Sequence, residues 1–420
     1  MAEPGRGVPR VDSRDAALAA DEADPIAFVR ARFAVPEDIT YLDGNSLGAL
    51  PVGVRDAVAD TVERQWGRDL VRSWNANGWW TLPARVGDRI GALVGAAPGQ
   101  VMCGDSTSVQ LFQAITALAR LVPHRRTIVT DGGNFPTDQY VAESVARLLG
   151  VRLLRVAPPD LDAVLAREGG DVAVVALSAV DYRTGELWDA AGITRAVHAA
   201  GGLVLWDLAH AAGAVPFDLD GIGADAAVGC SYKYLNGGPG APAWIYLPAR
   251  HQAAAELPLT GWQGHAAPFA LERAYAPAAG IERARIGTPA VLAMRSLDAA
   301  LDVFDDVTID DVRAKSLALT GLVIDYADAF LPGVGVATPR DPARRGSQVA
   351  LALPDAYAVT QALIERGVIG DFREPDLLRL GFAAPYLSYA QVWDALDTLR
   401  AVLAGGEYRD PRFATRAQVT

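Results

Sequence analysis

Between about residue 100 and residue 250 the chain alternates short β-branched runs with longer amphipathic stretches, a pattern that few folds accept. Candidate strands are Thr127–Asp131, Val151–Ala157, Val172–Ala179, Leu203–Leu208, Ala226–Cys230 and Ala243–Leu247. Helical segments accompany them, such as Val109–Leu121, where Val109, Phe112, Ile115 and Leu118 recur at helical spacing. Strands alternating with helices imply parallel strands joined by crossovers, and a sheet covered on both faces. The pattern predicts an α/β fold with a mostly parallel central sheet.

From about residue 290 the texture changes. Long helical stretches (Val291–Phe304 and Val312–Phe330) lead to a candidate strand Gln348–Pro354, a helix, and short strands near Val368–Arg373 and Leu378–Phe382. That reads as a smaller α+β domain. The expected organisation is an N-terminal arm over 1–40, a large domain over 41–295 and a small C-terminal domain over 296–420. Residues 1–25 are rich in Ala, Asp, Pro and Gly and are expected to be mobile, with order beginning near an apolar helix around Pro25–Phe33.

Composition narrows the function. At 420 residues, with 51% hydrophobic and 21% charged residues, the chain has ample material for a buried core. Its net charge of −12 repels phosphate backbones and anionic lipid, so neither nucleic acid nor a membrane surface is an expected partner. Two cysteines are too few for a disulfide framework, and five scattered histidines offer no metal cluster. No run approaches the ~18 apolar residues of a membrane span. The first residues lack the apolar centre of a secretion signal, and a cytoplasmic enzyme is expected.

Chemistry concentrates in Gly229-Cys230-Ser231-Tyr232-Lys233-Tyr234-Leu235-Asn236-Gly237-Gly238. A lysine after an apolar strand, between two tyrosines, is either a surface lysine lying along the rings or a Schiff-base lysine made nucleophilic by desolvation. Asp207 ends the apolar run Leu203-Val204-Leu205-Trp206, 26 residues before Lys233. As a helix cap it would be ordinary. Beside Lys233 it could instead hold a pyridine nitrogen protonated, since neighbouring strand ends of an open α/β sheet share one crevice. His210 follows three residues on. Thr107 and Ser108 open the Val109–Leu121 helix, where free N–H groups suit a phosphate. Phe135-Pro136-Thr137-Asp138 follows the Thr127–Asp131 strand, with Phe135 as a flat surface for a heteroaromatic ring. The loops of P-loop NTPases, zincins and α/β-hydrolases are missing. A non-enzymatic binding protein remains the contrasting reading.

Several segments resemble the kynureninases, fold-type-I pyridoxal phosphate enzymes of the aspartate aminotransferase superfamily. They are YLDGNSLGALP (41–51), DSTSVQLF (105–112), GNFPTDQY (133–140), DLAHAAGAVPFDL (207–219), ADAAVGCSYKYLNGGPGAPA (224–243), GWQGHAAPF (261–269), RIGTPAVL (285–292) and LLRLGFAAPYLSY (377–389). The resemblance implies hydrolysis of L-kynurenine to anthranilate and L-alanine, within tryptophan degradation and NAD biosynthesis. It implies that Lys233 carries the pyridoxal phosphate and takes the α-proton, Asp207 pairs with the pyridine nitrogen and Phe135 stacks on the ring. Thr107, Ser108, Pro136, Thr137, Asp138, His210 and Tyr232 complete the cofactor shell; on chemical grounds the Tyr232 phenol is also the choice for a proton relay at the ketone or the β-carbon. Trp262 and Thr288 match positions that reach the phosphate from the neighbouring subunit, which makes the active form a homodimer with shared sites. Arg379 matches the receiver of the substrate carboxylate, facing Asn45 and Ser46. Trp74, Gly287 and Thr288 fall around the substrate ring, and an indole there suits kynurenine better than 3-hydroxykynurenine. A cysteine desulfurase or an aminotransferase is the alternative within the same superfamily.

Overall fold

The computed structural model describes residues 11–416. Its strands, in chain order, are β1 (Thr40–Tyr41), β2 (Val101–Cys103), β3 (Thr127–Thr130), β4 (Arg152–Arg155), β5 (Val172–Ser178), β6 (Leu203–Asp207), β7 (Ala226–Gly229), β8 (Trp244–Tyr246), β9 (Gly335–Val336), β10 (Gln348–Ala352), β11 (Val368–Ile369), β12 (Asp371–Arg373) and β13 (Leu377–Gly381). Seven form one sheet in the order β2-β8-β7-β6-β5-β3-β4. The run from β4 to β7 is parallel, and β8 joins β7 antiparallel, as does β2 on β8. The predicted α/β sheet is therefore present.

Side chains explain the order. β5 (Val-Ala-Val-Val-Ala-Leu-Ser) is central and buried almost throughout, as an unalternating apolar run should be. β4 lies at the edge and brackets two leucines with Arg152 and Arg155, charges that discourage further strand pairing. Between β3 and β4 runs the helix Pro136–Leu149, closed by Gly150 in the left-handed region (φ 64°). After β4 the chain returns across β3 to build β5, β6 and β7 on its other side. That reversal opens a crevice at the carboxyl ends of the strands.

A second sheet, antiparallel and in the order β12-β13-β10-β9, lies toward the C-terminus. β1 pairs in parallel with β11, which ties the segment before Asn45 to this part of the chain.

Two expectations are corrected. Residues 1–10 lie outside the described residues, but 14–22 are helical rather than mobile. Ser13 caps this helix by accepting from the Ala16 N–H at 3.1 Å, and Ala17 and Ala20 are buried. The Asp21 carboxylate accepts from the Tyr389 and Ala390 N–H groups, capping the helix Tyr389–Gly405, and Asp24 pairs with buried Lys315 at 2.7 Å. Alanine is the best helix former, so an Ala-rich start needs only such docking to become ordered. The segment 27–32 is a short 3₁₀ helix. The predicted strand Val368–Arg373 is two strands in different pairings, broken at Gly370. A Cβ there would stand 2.7 Å from the Leu380 side chain.

At the opposite end of the sheet from the crevice, the buried Asp225 carboxylate gathers charge. It accepts from the Val204 N–H at 2.9 Å and meets His198 Nε2 at 2.7 Å, His251 Nε2 at 2.8 Å and Arg250 Nη2 at 3.0 Å. Burial alone would raise this carboxyl, but the bonds from His251 and His198 overcome it and hold the group at about 2. A depressed folded value stabilises the fold above the ordinary carboxylate range, and that stabilisation disappears as the pH falls toward 2. Asp225→Asn is expected to cost about 3 kcal/mol at neutral pH, because it strands buried donors. Urea unfolding at pH 7 and at low pH measures it, and the gap between variant and wild type should narrow in acid.

Candidate active site

The crevice contains a cavity of about 540 Å³. Its walls bring together groups from four strand ends: Asp138 after β3, Ser178 ending β5, Asp207 ending β6, and Tyr232 and Lys233 after β7. The register pairs Ser178 with Asp207 directly across β5 and β6.

Lys233 is set by the loop that carries it. Ser231 donates to the Pro242 carbonyl, and Asn236 and Gly238 take positive φ (57° and 89°), so the chain reverses just beyond the lysine. Gly48 packs from the other side, its N–H donating to the Tyr232 carbonyl at 2.7 Å. A Cβ at Gly48 would stand 2.3 Å from the Lys233 carbonyl oxygen, which accounts for the glycine in the Asn45–Gly48 turn. Lys233 Nζ lies 2.9 Å from His210 Nε2.

Asp207 is buried, and its Oδ1 accepts from the Ala209 N–H at 2.7 Å. Burial raises its carboxyl above the usual range, opposed by that N–H and by the Lys233 charge. Asp138, beside it, is raised further, first by burial and then by Asp207; it accepts from Asn134 Nδ2 at 2.9 Å and Ser178 Oγ at 3.3 Å. Two adjacent buried acids resist sharing two negative charges. His210 falls well below its ordinary value through burial and then the Lys233 charge, opposed by the Gln348 side chain, so it is neutral; among the described residues its Nδ1 makes no hydrogen bond of ordinary geometry. Burial also raises the Tyr232 phenol and keeps it protonated at neutral pH.

Across the cavity stands Arg379, 1% exposed, on β13. It donates from Nε to Asp371 Oδ1 at 2.8 Å, from Nη2 to Asp371 Oδ2 and to Ser46 Oγ (3.0 Å), and from Nη1 to the Tyr182 carbonyl. Asn45, with its amide oxygen toward the guanidinium, accepts from Nε at 2.8 Å and Nη2 at 3.2 Å. Ser46 in turn donates to Asp371 at 2.8 Å. Burial, and next the Asp371 charge, push nearby Asp43 up to about 7.

The residues suit pyridoxal phosphate. A buried carboxylate, a lysine amine and a neutral histidine with a free ring nitrogen line one wall. Thr107 and Ser108 open the helix Thr107–Leu121, capped by Ser106, whose first N–H groups can take a phosphate. Phe135 is 47% exposed at the cavity and meets Tyr182 edge-on, leaving a ring face for stacking.

Of the sequence-predicted site residues, Asn45, Ser46, Thr107, Ser108, Phe135, Thr137, Asp138, Asp207, His210, Tyr232, Lys233 and Arg379 line this cavity. Pro136 begins the adjacent helix without lining it. Trp74, Trp262 and Thr288 are not brought to it within one chain. Trp74 packs on Trp80, which packs on Trp262, and both Trp262 and Thr288 are exposed. Arg373, Tyr182 and Ser178 line the cavity, Asp371 stands behind Arg379 as its partner, and sequence reasoning missed all four. For Asp371 and Arg373 a signal existed, since two strands that close on each other bring Asp371 opposite Arg379. Cys103 and Cys230 are buried, with thiols raised by burial, so neither is an exposed nucleophile of the desulfurase kind.

A family profile described as "Kynureninase C-terminal domain" matches residues 312–399. The chain is 47% identical over 418 residues to the kynureninase of Burkholderia pseudomallei strain K96243, covering 97% of this chain and 100% of that one. To the kynureninase of Deinococcus radiodurans it is 49% identical over 392 residues, covering 92% and 95%. Among solved structures, apo cysteine desulfurase from Thermococcus onnurineus NA1 superposes with a TM-score of 0.77 at 17% identity, covering 90% of this chain and 98% of that one. A C-DES variant with glycine covalently linked to its PLP cofactor gives 0.77 at 18% identity, covering 88% and 98%. At those identities the structural likeness speaks for the fold alone. Near one-half identity along almost the whole length is a different matter: the chain belongs to the kynureninase family.

Proposed function

We propose that this chain hydrolyses L-kynurenine to anthranilate and L-alanine, using pyridoxal phosphate held on Lys233. The observation that carries the reading is the meeting of Lys233, Asp207 and a buried arginine on one cavity, in a chain of this family. When bound, the cofactor supplies a sink for electrons released at the substrate's α-carbon. The protein does the rest. Asp207 holds the pyridine nitrogen protonated, while Phe135 covers one ring face. Thr107, Ser108, Asp138 and His210 complete the cofactor's contacts. The Lys233 amine, at the cavity wall beside His210, would take the α-proton. Arg379 receives the α-carboxylate, and the protonated Tyr232 phenol supplies a proton at the ketone or the β-carbon.

The exposed aromatic face of Trp262 and Phe269, continuous with Trp80 and Trp74, supports a homodimer in which Trp262 and Thr288 reach the partner's cofactor. Membership of this family supports a role in tryptophan degradation, to which we add, as part of the same proposal, NAD biosynthesis and a cytoplasmic location. The large and small domains divide more naturally before the helix Ile309–Phe330 than at 295, which would cut the helix Val291–Ala300.

Purified protein given L-kynurenine should release fluorescent anthranilate and equimolar L-alanine, with higher kcat/KM than for 3-hydroxykynurenine. Borohydride reduction should fix the pyridoxyl label on Lys233. No anthranilate from cofactor-saturated protein would refute the activity; a label on another lysine would refute the site.

A further inference from the structure

We propose that Asp371 is a positioning residue for substrate binding, holding the Arg379 guanidinium so that one two-donor edge faces the substrate carboxylate while Ser46 keeps that edge's place. This rests on the reading above that Arg379 receives the carboxylate.

The backbone sets the arrangement. β12 and β13 are antiparallel, and Asp371 is the register partner of Arg379, so the two face each other across the ladder. Arg373, two residues on, shares the Asp371 face of β12 and donates to its Oδ2 at 2.7 Å. Asp371 is 1% exposed, and its side chain sits where no solvent competes for its oxygens.

A guanidinium has five N–H donors and two edges able to grip a carboxylate. Asp371 takes the edge made by Nε and Nη2, with one oxygen on each. The other edge, Nη1 with Nη2, remains. The Tyr182 carbonyl accepts from Nη1, Ser46 Oγ accepts from Nη2, and Asn45 shares the Nε and Nη2 hydrogens, so that among the described residues one Nη1 hydrogen has no acceptor. A substrate carboxylate that takes this hydrogen, and displaces Ser46 from the other, gains a two-point grip. Ser46 is fitted for displacement because its own hydroxyl hydrogen goes to Asp371 and stays satisfied. Without Asp371, Arg379 keeps the Tyr182 carbonyl, Ser46 and Asn45 but loses its two-point carboxylate clamp and the charge that offsets the repulsion between Arg373 and Arg379.

An opposing effect makes the test directional. Asp371 is also an anion beside an anion-binding site, with Asp43, Arg373 and Arg379 the other charged groups there. If it only competed for Arg379, removing its charge would tighten substrate binding. Positioning predicts the reverse.

The holoenzyme variants Asp371→Asn and Asp371→Glu, with Arg379→Lys as reference, are measured against L-kynurenine and against kynuramine, the same molecule without its α-carboxylate, as an inhibitor. Asp371→Asn is expected to raise KM about 10- to 100-fold, taking as a guide the loss when a group that orients a metal ligand is removed, with a smaller change in kcat. Asp371→Glu should recover part of the loss, and kynuramine inhibition and the cofactor's visible band should stay unchanged. A lowered or unchanged KM in Asp371→Asn, with Arg379→Lys impaired, overturns the proposal and leaves the Arg379 reading intact. Equal losses for kynurenine and kynuramine overturn it too, since Asp371 would then be merely structural. An unimpaired Arg379→Lys overturns the reading beneath it.

Discussion

Lys233→Ala is expected to lower kcat by about ten-thousand-fold or more, since it removes both the cofactor's attachment and the base for the α-proton. The fold should survive. The Lys233 loop is held by bonds that do not involve its side chain: Ser231 to the Pro242 carbonyl, Gly48 N–H to the Tyr232 carbonyl, and Tyr234 Oη to the Ser347 carbonyl at 2.9 Å. Among the described residues His210 is the only hydrogen-bond partner of Nζ, and losing the ammonium beside a buried neutral ring relieves that ring of an unfavourable charge. Urea stability should therefore stay within about 1 kcal/mol of wild type. Single-turnover kinetics with saturating cofactor separate chemistry from cofactor loss. A variant that turns kynurenine over at more than a small fraction of the wild-type rate would show that Lys233 is neither anchor nor base.

How much of this was legible beforehand depends on whether the information is local. The six strands read between residues 127 and 247 all appear within a residue or two: five are apolar runs whose burial leaves one solution, and β4, at the edge, keeps only its two leucines half-buried between arginines. β2 escaped notice. It has three residues and exists by pairing with β8, which periodicity does not report. The helix Arg14–Glu22 escaped for a related reason: its anchors, Asp21 on the Tyr389–Gly405 helix and Asp24 on Lys315, lie hundreds of residues away.

The same division runs through the cavity. Lys233 and Asp207 declare themselves because a charged residue ending an apolar strand is locally odd. Tyr182 enters through its carbonyl, and a backbone acceptor carries no signature in sequence. Asp371 reads locally as an ordinary strand acid, and only the register of β12 on β13 makes it the partner of Arg379. Trp74, Trp262 and Thr288 remain apart from the cavity of one chain; in the homodimer proposed above, Trp262 and Thr288 would act from the partner.

Asp207→Asn is the sharper probe of the chemistry, because it removes the charge at nearly constant size and otherwise alters only the hydrogen bond that Asp207 shares with Asp138. The amide keeps the side-chain size at a site 7% exposed, and its carbonyl oxygen can still accept the Ala209 N–H. What disappears is the negative charge that would hold a pyridine nitrogen protonated. The neighbour responds as well. With Asp207 neutral, the second cause of the raised Asp138 carboxyl is gone, so Asp138 moves back toward the ordinary range and partly replaces the lost charge. That compensation is indirect, since Asp138 is committed to Asn134 and Ser178. The expected result is a kcat lower by about 10²- to 10³-fold, the usual cost of removing one preorganised electrostatic partner. Borohydride should still label Lys233, because attachment does not need Asp207. Asp207→Asn combined with Asp138→Asn should fall further than the single variant, which measures the compensation directly. Were Asp207 only the cap of the turn after β6, asparagine would serve equally well. A kcat close to wild type in Asp207→Asn would reduce it to that role.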